Sequence, residues 1–258
     1  MTETAALAIS QMQALLLTGF VVFLRVGAAA AVMPAFGDRV VPMRVRLLLA
    51  LGFTVIVAPG ALASFPDLSG PPPWGLILAT ETIAGLAIGA TLRLFILTLQ
   101  MCGSMAAQAT SLAQIFGGHA ADPLPAIGHI MVVSALALAA MLGLHVKIVM
   151  LFLLSYDVLP PGQFPAAADL MPWGLQQVAN AFSLAFTLAA PFIVAALIYN
   201  LALGVINKAM PQLMVAFVGA PAITLGGLAI LALCLPMILS VWSDRLDLFL
   251  AAPFQAAP

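Results

Sequence analysis

The ionisable side chains that stand deepest in the long apolar runs of the sequence are Arg25, Glu81 and Arg93. A charge in hydrocarbon is costly unless it is paired or hydrated, so each of them needs a partner. Glu81 and Arg93 are separated by about 18 Å along one predicted helix, which prevents them from pairing with each other. We therefore predict an ion pair between Arg25 and Glu81 across two helices. Two roles are open for it, a proton or ion relay and a structural tether, and the tether is favoured.

The other residues capable of chemistry are scattered along the sequence. His119, His129 and His145 are far from cysteine partners and from one another, and Cys102 and Cys234 lack the spacing of a zinc site or a disulfide framework. The sequence contains no HExxH, GxSxG or Walker motif. We therefore predict no catalytic residues, no metal site and no cofactor.

A polar stripe interrupts the apolar sequence near its middle. Its members recur at helical spacing and are Gln100, Ser104, Gln108 and Ser111, while another face carries Met101 and Met105. Such a stripe lines an aqueous path or forms hydrogen bonds with a neighbouring helix, and both interpretations are open.

The segment after this stripe combines bulky apolar side chains with two glycines that free the backbone. Its candidate residues are Gln114, Ile115, Phe116, Gly117, Gly118, His119, Asp122 and Pro123. A loop with an apolar tip suits a plug in a pore. The alternative is an ordinary connection between helices.

The composition defines the protein class that positions these residues. Of 258 residues, 64% are hydrophobic and 7% are charged, and the mean hydropathy is +1.19. Soluble domains carry roughly a quarter charged residues, so this sequence predicts an integral membrane protein. The formal net charge of -1 offers no basic surface for nucleic acid, which we exclude as a partner.

The apolar sequence divides into about six segments long enough to span a bilayer as helices. They cover residues 9–34, 45–62, 74–101, 127–156, 178–206 and 213–242, and the last two connections cover 160–172 and 207–211. Pro191, Pro221 and Pro236 predict kinked or broken helices in the last two segments. We predict an all-α integral membrane protein of helical hairpins, packed in a larger assembly that satisfies the freed backbone groups.

The distribution of basic residues gives a membrane orientation. Arg39, Arg44, Arg46 and Lys208 fall in the first and fifth connections, whereas the second and fourth contain no Lys or Arg. By the positive-inside rule, both termini lie outside.

Several runs resemble the FliR family of flagellar export-gate proteins. They are Leu-Arg-Val-Gly at 24–27, Val-Pro-Met-Arg-Val-Arg-Leu at 41–47, Gly-Leu-Ala-Ile-Gly at 85–89 and Tyr-Asn-Leu-Ala-Leu-Gly-Val-Ile-Asn-Lys-Ala-Met-Pro-Gln-Leu at 199–213. The last run is the most specific, and it carries the family turn motif of Asn200, Gly204, Asn207, Lys208, Pro211 and Gln212.

The resemblance implies a structural and channel-forming subunit of the type III export gate, in the bacterial inner membrane at the flagellar basal body. Its implied partners are FliP-like, FliQ-like and FlhB-like subunits and unfolded export substrates, with FlhA and rod proteins as further candidates. The single chain, 1–258, would comprise a FliP-like part at about 1–169 and a FliQ-like helical pair at 170–258. The loop at 115–122 would sit in the pore and help to seal it. A cytoplasmic C-terminus is also implied, which conflicts with the charge count.

Three alternative functions are compatible with parts of the sequence. The virulence secretion counterpart of this family shares the motifs. A small secondary transporter using Arg25, Glu81 and Arg93 would be expected to contain inverted repeats, and the sequence shows none. A membrane enzyme is the third, and it lacks a candidate nucleophile and base.

Overall fold

The computed structural model describes residues 2–34, 37, 41–62, 65, 74–111, 126–210 and 215–254. Within these ranges the chain is all-α and contains no strand, which confirms the predicted fold class. The helices are α1 (Thr2–Val32), α2 (Met43–Ala61), α3 (Trp74–Ser111), α4 (Ala126–Met141), α5 (Leu144–Val158), α6 (Ala167–Ala209) and α7 (Val215–Ala251).

Five of these helices are long and apolar enough to cross a membrane, and α4 with α5 makes up to six if the pair counts as one span. This agrees with the predicted number of about six. Several helices exceed the length that a bilayer requires, since the 43 residues of α6 extend about 65 Å against a hydrocarbon thickness of about 30 Å. The predicted third segment likewise continues past residue 101 to Ser111, so the polar stripe lies on the same helix as Glu81.

The predicted fourth span, residues 127–156, is wrong as a single helix. It is divided into α4 and α5 by a break at Leu142 and Gly143. Gly143 adopts a left-handed conformation with φ 75°, which ends the first helix and is readily available only to glycine. The glycine lies within a continuous apolar run, so hydropathy alone gave no indication of the break.

The predicted connections before and after α6 also require correction. The loop expected at 160–172 is shorter, because α6 begins at Ala167 and carries Asp169 in its first turn, where the helix dipole favours a carboxylate. The turn expected at 207–211 begins later, because Asn207 and Lys208 still lie in the last turn of α6. A cation is favoured at that end of a helix.

Proline does not break the last two helices. The assigned helix α6 continues through Pro191, and α7 continues through Pro221 and Pro236. Of the two predicted outcomes, a broken helix is therefore wrong for both, and a kink at these prolines stays a prediction. Neighbouring groups in apolar surroundings can satisfy the carbonyl that proline leaves without its usual donor, so a proline is compatible with a continuous membrane helix.

The chain forms two compact units. The first comprises Met1–Leu94, Gly143–Gln177 and Leu248–Pro258, and the second comprises Phe95–Leu142 and Val178–Asp247. The predicted division near residue 169 into FliP-like and FliQ-like parts concerns likeness to other chains and stays a prediction.

In the first unit, α1 packs against α2, and α2 packs against α5. Its buried core includes Val22, Val26, Ile88 and Phe152. The chain end is tied to the start of α6, because Trp173 Nε1 donates a hydrogen bond to the Pro253 carbonyl at 2.9 Å and the Trp173 ring stacks on Phe254.

In the second unit, Trp242 of α7 is buried and its Nε1 donates to the Phe95 carbonyl of α3 at 2.8 Å. Gly103 of α3 lies so close to the backbone of Gly128 in α4 that a Cβ at Gly103 would overlap it. Many core residues here are alanines, namely Ala106, Ala135, Ala139, Ala181, Ala185, Ala189 and Ala196. Small residues allow the close backbone approach that drives helix association in apolar surroundings.

Candidate functional site

A buried ion pair joins α1 to α3 in the first unit. The Nε–H of Arg25 donates to Glu81 Oε2 at 2.8 Å, and its Nη2–H donates to Glu81 Oε1 at 2.9 Å. The relative exposure is 1% for Arg25 and 0% for Glu81. The predicted pairing is therefore present, in the bidentate geometry that suits a guanidinium and a carboxylate.

The end of α5 supplies the remaining contacts of Arg25. Nη1 donates to Ser155 Oγ at 2.9 Å, and Nη2 also donates to the Leu159 carbonyl at 2.7 Å. The guanidinium carbon lies 3.8 Å from the centroid of the Tyr156 ring, a cation–π geometry. The Tyr156 hydroxyl reaches Glu81 Oε2 at 3.5 Å, a long contact. Three helices thus converge on one guanidinium.

We call Arg25, Glu81, Ser155, Tyr156 and Leu159 the Arg25 cluster. The sequence predicted its two charged members and missed the other three. The available signal was the pair Ser155 and Tyr156, which are polar groups at the end of an otherwise apolar segment. Leu159 takes part through its backbone carbonyl, for which the side chain gives no signal.

The chemistry open to the Arg25 cluster is limited by its burial and by the hydrogen bonds among its members. Its four polar side chains, on Arg25, Glu81, Ser155 and Tyr156, are almost wholly enclosed. The Ser155 hydroxyl, which accepts from Arg25, donates onward to the Phe152 carbonyl at 2.6 Å. A relay needs a route by which protons or ions enter and leave, whereas a tether needs only fixed partners. The geometry therefore favours the tether.

Two glycines of α3 bring the ion pair within reach. A Cβ at Gly85 would overlap the Arg25 carbonyl oxygen, and a Cβ at Gly89 would lie 2.5 Å from the Ala29 carbonyl oxygen. The GxxxG step of α3 therefore packs directly on the backbone of α1. Arg25 contacts α3 through both its backbone and its side chain. The distance between α1 and α3 and the ion pair between Arg25 and Glu81 therefore depend on each other.

Replacing Gly89 with alanine should push α1 and α3 apart and destabilise the chain by about 1–3 kcal/mol, the usual cost of overpacking. Gly75→Ala on the same helix is the matched control, because nothing lies within 4 Å of a Cβ at that position. The measurement compares the melting temperatures of the two variants, as the purified protein or as the complex that contains it. Equal values for the two variants would show that the close approach of α1 and α3 is unimportant.

Arg93 lies outside the Arg25 cluster. Its side chain is exposed, and Nη1 donates to the carbonyl of Val32, the last residue of α1, at 3.3 Å. A cation is favourable at a helix C-terminus, where carbonyl groups lack intrahelical donors. Arg93 thus contacts the C-terminal end of α1 rather than Glu81, and its role as a structural charge stays a prediction.

The polar stripe of α3 lies on an exposed face in the second unit. Gln100 and Gln108 are exposed and Ser104 is half-buried. The opposite face is buried and consists of Leu99, Cys102, Gly103 and Ala106. The side chain of Ser111 is outside the described part of the structure.

The predicted plug residues, from Gln114 to Pro123, also lie outside the described residues, as do Pro211 and Gln212 of the family turn motif. The other motif residues lie on the last turns of α6, where Asn200 is half-buried and Gly204, Asn207 and Lys208 are exposed. The roles proposed for both groups therefore stay predictions.

The end of α6 that carries this motif is exposed on every face. Of residues 201–210, only Leu203 is half-buried, although the segment is largely apolar. The relative exposure is 70% for Leu201, 63% for Val205 and 56% for Met210. Residues 11–16 of α1 are likewise exposed all round, and they include Met12, Leu15 and Leu16. We call these two segments the apolar arms.

The described residues contain no group of three or more His, Cys, Asp or Glu side chains placed to hold a metal ion. His129 and His145 are exposed, while Cys102 is buried and Cys234 half-buried.

Comparison with known proteins places these features in a family. A family model described as bacterial export proteins, family 1, matches residues 16–249. The flagellar biosynthetic protein FliR of Caulobacter vibrioides is 35% identical over 237 residues, which cover 88% of this chain and 94% of that protein. FliR of Escherichia coli K12 is 28% identical over 218 residues, covering 83% of each chain. FliR of Bacillus subtilis is 26% identical over 225 residues, covering 85% and 86%.

Proposed function

The chain belongs to the family of bacterial export proteins, family 1, and on this premise we propose that it is a structural and channel-forming subunit of the flagellar type III export gate. It helps to form and seal the conduit for unfolded flagellar proteins, in the bacterial inner membrane at the basal body. Its partners are FliP-like, FliQ-like and FlhB-like subunits. The flagellar relatives and the apolar helices of this chain support the assignment.

The apolar arms are the observation that carries the assembly part of the proposal. Both arms expose large apolar side chains, and such a surface is covered by lipid or by other protein rather than left in water. The arm at 201–210 carries Asn207 and Lys208 among its apolar residues, and these polar groups are costly in lipid alone. Protein partners offer these groups hydrogen bonds while covering the apolar side chains, which favours a subunit of a larger helical assembly.

The chain performs no catalysis in this proposal. The charged residues of the Arg25 cluster are engaged with one another and with α5, and they hold three helices together. The energy for export therefore comes from other components, and the contribution of this chain is to shape the conduit. The segment 114–123 supplies part of the seal.

Two of the rival functions, the secondary transporter and the virulence secretion subunit, differ in how they fit these observations. A secondary transporter would use the ion pair as a relay, and the burial of Arg25 and Glu81 counts against that use. A virulence secretion subunit would present the same fold and the same cluster. The relatives reported above are flagellar, which favours the flagellar system.

Deleting the gene for this chain from its own bacterium separates these functions. We expect loss of motility and of secreted hook and filament proteins, with both restored by a plasmid copy of the wild-type gene. A deletion strain that swims normally and secretes flagellar proteins would contradict the flagellar assignment. Loss of other secreted proteins with motility intact would instead support the virulence counterpart.

A further inference from the structure

The exposed face of α3 in the second unit carries neutral polar groups in regular order. We call Gln100, Ser104 and Gln108 the amide stripe; each is separated from the next by one helical turn. No Asp, Glu, Lys or Arg occurs between Arg93 and Asp122, so the stripe stands in an uncharged stretch of sequence. Its flanks are the half-buried Met101 and Met105.

Among the described residues, the amide stripe lies outside the buried core of its unit. The opposite face of the helix supplies the buried contacts of the unit. The Ser104 hydroxyl donates to the Gln100 carbonyl at 2.9 Å, which leaves its oxygen able to accept a hydrogen bond. The glutamine side chains carry one acceptor and two donor hydrogens each, the same groups as a peptide backbone.

The spacing of the stripe matches an extended polypeptide. Residues four apart on a helix are separated by about 6 Å along its axis, and backbone groups on one edge of an extended chain recur every two residues, or about 6.6 Å. Over the three positions the two repeats differ by about 1 Å, which flexible side chains can accommodate. Backbone hydrogen bonds of this kind are independent of the partner's sequence.

We propose that the amide stripe is a track for the backbone of the unfolded protein in transit. This inference rests on the proposed export function and specifies which surface of the chain the substrate contacts. Neutral amides suit substrates of any net charge, because a charged stripe would attract some segments and repel others. Met101 and Met105 add adaptable apolar contacts for passing side chains. Contacts that are individually weak allow the chain to move on.

Site-specific photocrosslinking in the assembled gate tests the track directly. A benzophenone amino acid is placed at Gln100 or Gln108, and at Leu233 of α7 as an exposed apolar control in the same unit. With an export substrate stalled by a folded fusion domain, we expect crosslinks to the substrate at positions 100 and 108 and none at 233. If positions 100 and 108 crosslink only to partner helices while the unblocked substrate is exported normally, the proposed track is wrong. The proposed export function would not be affected by that result.

Substitutions provide a functional test. Gln100→Leu with Gln108→Leu should lower the export rate of substrates of different net charge by the same factor, about thirtyfold if each glutamine loses one hydrogen bond of typical strength. Gln100→Asn with Gln108→Asn, which keeps the amides, should retain most of the rate. Gln100→Glu with Gln108→Glu should make export depend on substrate charge. Equal export by the leucine, asparagine and wild-type chains would overturn the track, whereas absence of export by the wild-type chain would refute the proposed function itself.

Discussion

Glu81→Ala should lower the stability of this chain more than any other single substitution considered for it, by about 3–5 kcal/mol. The change leaves the guanidinium of Arg25 buried between three helices without its carboxylate. A buried charge without its counterion is costly, and no solvent reaches it to compensate. We expect the protein level in membranes to fall by at least about tenfold, since 1.4 kcal/mol already changes an equilibrium tenfold. Immunoblots of the membrane fraction after inhibition of protein synthesis measure this loss.

Two further variants identify the cause. Asp244→Ala removes an exposed carboxylate from α7 and should leave the protein level unchanged. Arg25→Met combined with Glu81→Leu removes both charges, and replacing a buried pair with apolar groups is often neutral. Because Arg25 also donates to Ser155 and Leu159, we expect the double variant to recover part of the loss. The proposed structural role of the ion pair is contradicted if Glu81→Ala is as stable as Asp244→Ala. It is also contradicted if the double variant loses as much stability as Arg25→Met and Glu81→Leu lose together when each is made alone.

Deleting residues 114–121 should open the resting gate to ions. A pore wide enough for an unfolded chain must exclude ions when idle, and an apolar constriction does so by excluding water. Ile115 and Phe116 are the apolar residues proposed for this seal, beside Gly117 and Gly118. We expect the deletion complex to assemble, to conduct small ions well above background and to slow growth in high salt.

Two variants with substitutions in place of the deletion test the same seal. Ile115→Ser with Phe116→Ser should leak in the same way, whereas His119→Ala in the same segment should not. Membrane conductance of cells or of reconstituted complexes provides the measurement. If the segment is an ordinary connector, the deletion will either prevent assembly or have no effect, and a fully assembled deletion complex with normal ion tightness would remove this segment from the gate.

Electrostatics made the centre of the Arg25 cluster predictable from the sequence. Arg25 and Glu81 are opposite charges in apolar segments, and the cost of an unpaired charge there leaves few alternatives to pairing. The contributions of Ser155 and of the Leu159 carbonyl could not be predicted, because neutral polar groups find partners in many arrangements and every residue has a carbonyl. The exposed position of Arg93 could not be predicted for a related reason. Hydropathy places a residue within an apolar run but does not say which side of the helix faces its neighbours.

Apolar segment length predicted the helices well, and local backbone chemistry limited the accuracy of their ends. Gly143 ends α4 through a left-handed conformation that hydropathy does not register. Pro172 was placed in a loop but lies in the early turns of α6, and Pro191 lies within the same continuous helix. In both cases tertiary surroundings decide whether a proline ends a helix.

Purification of the tagged chain from its native chromosomal locus, in mild detergent, tests the central claim most directly. The measurement is the native mass of the purified particle, with mass spectrometry of the chains it contains. The account predicts one large stable complex with several copies of FliP-like and FliQ-like subunits, in which the apolar arms are covered, and predicts degradation of the 26.7 kDa chain when those partners are deleted. A stable, folded particle of this chain alone, obtained equally well without the partners, would contradict it.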